Sequence, residues 1–234
     1  MKIHITYIYR FIIYVIGIVI ITLGVALTIN SNLGISPVSL LSFAIAQATG
    51  IQISITSVFV FCMYLLFQIL MYRRDFKLIQ LFQVPFAIMF GYFLGIFHQF
   101  IQLPSDLLVI RFGFVFAGLT CLAIGIFLTV TAQMIPMSPE GFLKALTDKT
   151  KINFGTAKNL QDISSVSVST ALLLLTGNGF SGIGIGTILS TILVGRIIYV
   201  INRFCKKPLE RFLGLSPEDN HDHINISKVV PSKG

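Results

Sequence analysis

Glu140, Lys158 and Asp162 are ionisable residues set among long apolar stretches, where charge is not held without a reason. A charged side chain inside a membrane span costs about 2.5–3.5 kcal/mol on insertion scales, so it faces protein or water and serves a purpose. Lys158 and Asp162 stand at i,i+4 and can pair along one helical face. Two readings follow. Lys158 snorkels to the surface with Asp162 paired to it, or Asp162 and Glu140 bind a coupling proton or cation. Glu140, Lys144 and Asp148 share the same spacing, so an ordinary charge ladder competes with a special role for Glu140.

Two Ser-Pro pairs, Ser36-Pro37 and Ser138-Pro139, carry a second kind of chemistry. Proline suits the first turn of a helix, and serine is expected to cap its free amides. Each pair precedes a short helix, Val38–Ala48 or Glu140–Asp148, too short to span a bilayer. Such a helix lies in the interface, or it dips into the membrane with its N-terminus aimed at the centre. Irregular backbone at that depth is tolerated only where it is buried or lines a cavity. Two opposed re-entrant helices would then turn unpaired N–H groups and positive dipole ends toward one place, suited to an anion or carboxylate. Ser36, Pro37, Ser138 and Pro139 are therefore the expected substrate-binding residues, and Glu140, Lys158 and Asp162 the expected ion-coupling residues.

The elements that must position these groups are membrane spans. Hydrophobic residues make up 55% of the chain and charged residues 11%, with a mean hydropathy of +0.87. That balance excludes an ordinary soluble domain. Stretches near the ~20 residues a span requires are Phe11–Ile29, Ile53–Met71, Leu78–Ile101, Phe112–Ala132, Phe154–Leu175 and Gly182–Ile201. The first is too long for a signal-peptide core and lacks a cleavage site after it. It stays as a span.

The net charge of +8 does not point to nucleic acid. Basic residues gather at span ends: Lys2 and Arg10; Arg73, Arg74 and Lys77; Lys144, Lys149, Lys151 and Lys158; Arg203, Lys206 and Lys207. A cytoplasmic N-terminus puts every cluster on the cytoplasmic side of a six-span protein, as the positive-inside rule asks. The opposite loops hold one charge, Asp106, before Arg111 opens the next span. Tyr7, Tyr9, Tyr72 and Tyr199 serve as interfacial anchors in a chain without tryptophan.

The same unit is written twice. Arg10-Phe11, Gly17, Gly24, Thr28 and Ser36-Pro37 return as Arg111-Phe112, Gly118, Gly125, Thr129 and Ser138-Pro139. The later spans also align, Gly91 with Gly195 and Phe76 with Phe180. Three crossings per unit is an odd number, so the second copy enters from the opposite face, the inverted repeat of secondary transporters. The copies diverge where Val38 matches Glu140 and where Thr56 and Val60 match Lys158 and Asp162. The boundaries are 1–9 for a cytoplasmic N-terminus, 10–103 and 104–204 for the two repeats, and 205–234 for a polar cytoplasmic tail.

Other features argue against chemistry. Cys62, Cys121 and Cys205 are not placed for an extracellular disulfide. Gly182–Thr187 lacks the strand and lysine of a phosphate loop. Gln68, Gln80, Gln83 and Gln99 line a path or simply glue helices, and His98 reads as a satisfied packing residue. His221 and His223 make a poor metal site. No catalytic or metal-ligand cluster has usable spacing, so an enzyme, a cofactor and a metal are not expected.

Asn30–Pro37, Arg74–Gln80, Pro139–Gly141, Phe154-Gly155 with Lys158 and Asp162, and Gly186-Thr187 with Gly195 together resemble the YczE/YyaS/YitT family of bacterial multi-pass membrane proteins. The resemblance reaches to about Phe204. It implies a bacterial plasma-membrane location, and it assigns no activity beyond an influence of some members on secreted metabolites. The acidic residue usual after the first Ser-Pro is Val38-Ser39 here.

The expected fold is all-α: six transmembrane helices in two inverted three-helix repeats, each with a short Ser-Pro-initiated helix. The expected function is secondary transport or export of a small anionic or carboxylate-bearing solute. The alternative is a non-transporting membrane partner that regulates or stabilises another membrane or biosynthetic complex. A channel would need a continuous polar file, which scattered glutamines do not supply. The expected partners are the lipid bilayer and a small anionic solute. A homodimer is compatible with so thin a unit.

Overall fold

The computed structural model describes residues 2–104 and 107–213, without the side chains of residues 2–5 and 212. Asp106 and the His221-Asp222-His223 tail lie outside the described residues. The helices in chain order are α1 (Lys2–Asn30), α2 (Pro37–Thr49), α3 (Ile53–Tyr72), α4 (Gln83–Phe100), α5 (Leu108–Thr131), α6 (Ser138–Thr150), α7 (Phe154–Leu175) and α8 (Ile185–Phe212). Two short 3-10 turns, Arg73–Asp75 and Leu78–Phe82, join α3 to α4. The described residues contain no strand.

Five segments are long and apolar enough to cross a membrane: Thr6–Asn30, Ile53–Asp75, Leu78–Phe100, Leu108–Thr131 and Ile185–Arg211. This is an integral, multi-pass membrane protein. Its rim is apolar as lipid contact requires, with Leu175 87% and Val109 83% exposed. α7 has the length of a span, but Lys158, Gln161, Asp162 and its serines keep it out of that apolar set.

Left-handed backbone marks matching turns. Asn32 (φ 53) follows α1, and Gln133 (φ 50) follows α5. Gly50 (φ 71) closes α2 and Lys151 (φ 60) closes α6, each donating its N–H one turn back, to Ala46 and Thr147. Arg73 (φ 48) ends α3, and Gly177 (φ 76) lies just past α7.

α1 and α5 form the main crossing, and glycines make it close. A methyl on Gly24 would lie 2.6 Å from the Gly118 carbonyl oxygen, and one on Gly118 would lie 2.8 Å from the Gly24 oxygen. Gly17 and Gly125 meet in the same way, so the helices run antiparallel. Where lipid supplies no hydrophobic drive between helices, such close backbone packing supplies the attraction. α4 packs on α1 and α3, α8 on α5, α2 on α7, and α6 on α3. Tyr14 and Phe86 rings meet edge-on at 4.7 Å between α1 and α4.

Two expectations need correction. Ser36 precedes α2 but gives no side-chain cap, because its hydroxyl donates to Ser39 Oγ at 3.1 Å instead. The cap position of α6 falls on Met137, so Ser138 is already inside the helix. α8 runs beyond Ile201, the end of the sixth expected span, and through Pro208 to Phe212, where Lys206 and Glu210 pair at i,i+4.

Candidate functional site

The start of α6 is held by amides from three neighbouring helices. Gln68 of α3 and Gln83 of α4 form a reciprocal pair, with Nε2–Oε1 distances of 3.0 and 3.1 Å. Gln68 Nε2 also donates to the Ser138 carbonyl at 3.0 Å. Gln161 of α7 donates to the Pro139 carbonyl at 3.4 Å. All three glutamines are buried, so each bond replaces water that the interior does not provide. Gly141 makes room for the pair: a methyl there would lie 2.5 Å from Gln68 Oε1 and 2.9 Å from Gln83 Nε2.

Glu140 follows at the next position. Its Oε2 is buried and finds no hydrogen-bond partner among the described residues. The Tyr14 hydroxyl, on a residue with no exposed surface, is orphaned in the same way. Tyr14 and Glu140 line one cleft of about 50 Å³, with Thr129, Gln133, Met137 and Lys144. Burial raises the Glu140 carboxyl above its ordinary range; its own backbone N–H and the Lys158 ammonium pull it back.

Lys158 and Asp162 form the expected i,i+4 ion pair on α7, with Asp162 8% and Lys158 38% exposed at the side chain. One further turn along, Ser165 Oγ meets the Tyr64 hydroxyl at 3.1 Å. Tyr64 also stacks obliquely on Phe142 of α6, ring centres 5.4 Å apart. Glu140, Lys158, Asp162, Ser138 and Pro139 are thus parts of one neighbourhood between α1, α3, α6 and α7. Asp148, the last member of the Glu140–Lys144–Asp148 series, accepts from the Tyr72 hydroxyl through Oδ2 at 2.7 Å. Lys149 pairs with Asp75 at 2.8 Å.

Ser36 and Pro37 belong to different surroundings. The Ile35 N–H donates to the Gly182 carbonyl at 3.0 Å, and the Gly186 N–H to the Leu33 carbonyl at 2.8 Å. A methyl on Gly34 (φ 131) would lie 2.6 Å from the Thr187 nitrogen. The glycine run 182–186 is therefore a seat for the break after α1. Among the described residues no hydrogen bond joins the Ser36 and Ser138 starts.

Residues 8–203 match a family described as a family of unknown function, DUF6198. The chain belongs to that family. The DUF6198 match takes in every residue of the neighbourhood, from Tyr14 to Ser165, and the Gly182–Gly186 seat. No curated protein and no solved structure matches the chain.

Sequence reasoning missed Tyr14 and Tyr64, whose spacing gives no sign that they converge on α6. It left Gln68 and Gln83 undecided between path and glue; here they are glue. His98 is not satisfied, since its Nδ1 is buried without a partner among the described residues. Among them, no three His, Cys, Asp or Glu residues could hold a metal.

Proposed function

We propose that this chain is a proton-coupled secondary carrier for a small anionic or carboxylate-bearing solute, with Glu140 as the coupling carboxyl. The single observation that carries the reading is the pair of orphaned polar atoms, Glu140 Oε2 and Tyr14 Oη, on one buried cleft. A cleft of 50 Å³ admits a water or a small ion and falls far below the roughly 300 Å³ of ordinary ligand pockets. Lys144 on its wall and the positive end of α6 disfavour a metal cation there, which leaves the proton.

The carrier would consist of two inverted three-span halves, α1–α4 and α5–α8, with α7 as the sixth span. The glycines support this, because Gly17 and Gly24 correspond to Gly118 and Gly125, and the contacts exchange partners accordingly. So do the paired left-handed turns. α2 packs on α7 as α6 packs on α3, so each short helix is held by the opposite half. The cytoplasmic placement of both termini in a bacterial plasma membrane, and kinship with the YczE/YyaS/YitT proteins, belong to the same reading.

In it, Ser36 and Pro37 present one helix start to the solute, and Ser138 and Pro139 the other. Protonated Glu140 removes a negative charge from the second start and lets the anion approach; release of the proton drives the anion away. Asp162 holds Lys158 in place, and Lys158 tunes the field at Glu140.

The test is uptake of a panel of labelled small mono- and dicarboxylates into proteoliposomes under an inward proton gradient. Wild type should accumulate a member of the panel. Glu140→Gln should lose the gradient-driven accumulation while retaining solute exchange. Unchanged accumulation in Glu140→Gln would remove Glu140 from its role. Unchanged flux in both Asp162→Asn and Ser138→Ala would discard the rest of the site.

A further inference from the structure

The space between α7 and α8 has a counterpart in the first half, and that counterpart is closed. α4 seats on α3 so tightly that a methyl on Gly91 would lie 2.6 Å from both the Ser54 carbonyl oxygen and Val58 Cγ2. One on Gly95 would lie 3.1 Å from Ser54 Cβ. The Phe61 and Phe90 rings complete the contact, 4.7 Å apart.

In the register that pairs Gly50 with Lys151 and the α3 start Ile53 with the α7 start Phe154, Ser54, Val58 and Phe61 correspond to Gly155, Asn159 and Asp162, and Gly91 and Gly95 to Gly195 and Tyr199. Among the described residues, α8 makes no comparable contact with α7. Val58 is half-buried against α4, whereas its counterpart Asn159 is exposed. Tyr199 is bare as well, and a methyl on Gly195 would meet nothing within 4 Å. A mid-helix glycine destabilises a helix relative to alanine. At Gly91 a close neighbour accounts for the glycine; at Gly195 this conformation offers none.

We propose that the face of α7 carrying Gly155 and Asn159 is the docking surface for α8 of the same chain in a second conformation, with Gly195 as the contact that lets the backbones meet. The inference rests on the inverted-halves reading. Opposed repeats exchange shapes in alternating access, so α4 lifts from α3 as α8 closes on α7. The Gly91 contact is one state of the device, and the Gly195 contact is the other.

Cysteine pairs read both states in the full chain, purified in nanodiscs, with Cys62, Cys121 and Cys205 replaced by alanine. Under mild oxidant, S54C/G95C should form a disulfide within one chain, since its Cβ atoms already approach. G155C/Y199C should do so too, and adding Gly195→Leu should abolish that bridge while leaving the first intact. A G155C/Y199C pair that stays reduced, or that bridges only between two chains, would overturn the proposal. Failure of S54C/G95C would also overturn it, by removing the closed half that α8 copies. The orientation of the halves is read separately, by the side from which each short helix is labelled, so its failure is distinguishable from failure of this docking.

Discussion

Gly17 and Gly125 face each other across the α1–α5 crossing, each without room for a side chain. A methyl on Gly17 would lie 3.0 Å from the Gly125 carbonyl oxygen, and one on Gly125 would lie 2.7 Å from the Gly17 oxygen. Any side chain there pushes two packed backbones apart, and overpacking costs about 1–3 kcal/mol. Gly17→Leu and Gly125→Leu should each lower the unfolding temperature in detergent, followed by circular dichroism. Gly113 has nothing within 4 Å, so Gly113→Ala should be neutral or stabilise by up to about 1 kcal/mol.

The Gln68–Gln83 pair should behave as a unit. Gln68→Leu strands Gln83 and withdraws a donor from the Ser138 carbonyl, and an unsatisfied buried polar group costs about 1–3 kcal/mol. Gln83→Leu should cost less, because Gln68 keeps its bond to Ser138. The double variant should lose less than the sum of the singles, measured by denaturant unfolding in mixed micelles.

The two members of the α7 ion pair are not equivalent. Lys158→Met leaves the buried Asp162 carboxylate without its cation, whereas Asp162→Asn leaves an ammonium that is 38% exposed and can reach water. Lys158→Met should therefore lower thermal stability more than Asp162→Asn, in the same assay. Asp162→Asn in the Lys158→Met background should restore part of the loss.

Capping separates the serines from Asn153. Asn153 Oδ1 accepts from the Thr156 N–H at 2.8 Å at the start of α7, so Asn153→Ala should cost about 1 kcal/mol. Ser36 and Ser138 cap no amide. Ser138→Ala should therefore cost less than Asn153→Ala, whereas Ser36→Ala loses its bond to Ser39, worth about 0.5–1.5 kcal/mol. Any loss of flux in Ser138→Ala is then a matter of the site and not of folding.

The apolar runs, the recurring glycines and both short helices could be read from residue types, because span length and close backbone approach leave a direct mark in sequence. The Lys158–Asp162 pair was legible for the same reason, since helical spacing fixes it. The convergence of Tyr14, Tyr64, Gln68 and Gln83 on α6 was not, because it depends on how distant helices pack. The matching turns were hidden by their residues: Asn32 answers Gln133, Gly50 answers Lys151 and Arg73 answers Gly177. The backbone conformations are alike although the side chains differ. The serines misled because a Ser-Pro pair signals a helix start without fixing which residue takes the cap position.

Thr49 and Thr150 close the two short helices in the same way, each exposed and each bonded to the carbonyl one turn back, on Ile45 and Leu146. In a chain whose three cysteines are replaced by alanine, T49C and T150C can be labelled with a membrane-impermeant maleimide in intact cells and in inverted vesicles. Opposed halves require T49C to react from outside and T150C from the cytoplasm. If both react from one side, the halves are not inverted, and the carrier with its exchange of shapes is contradicted.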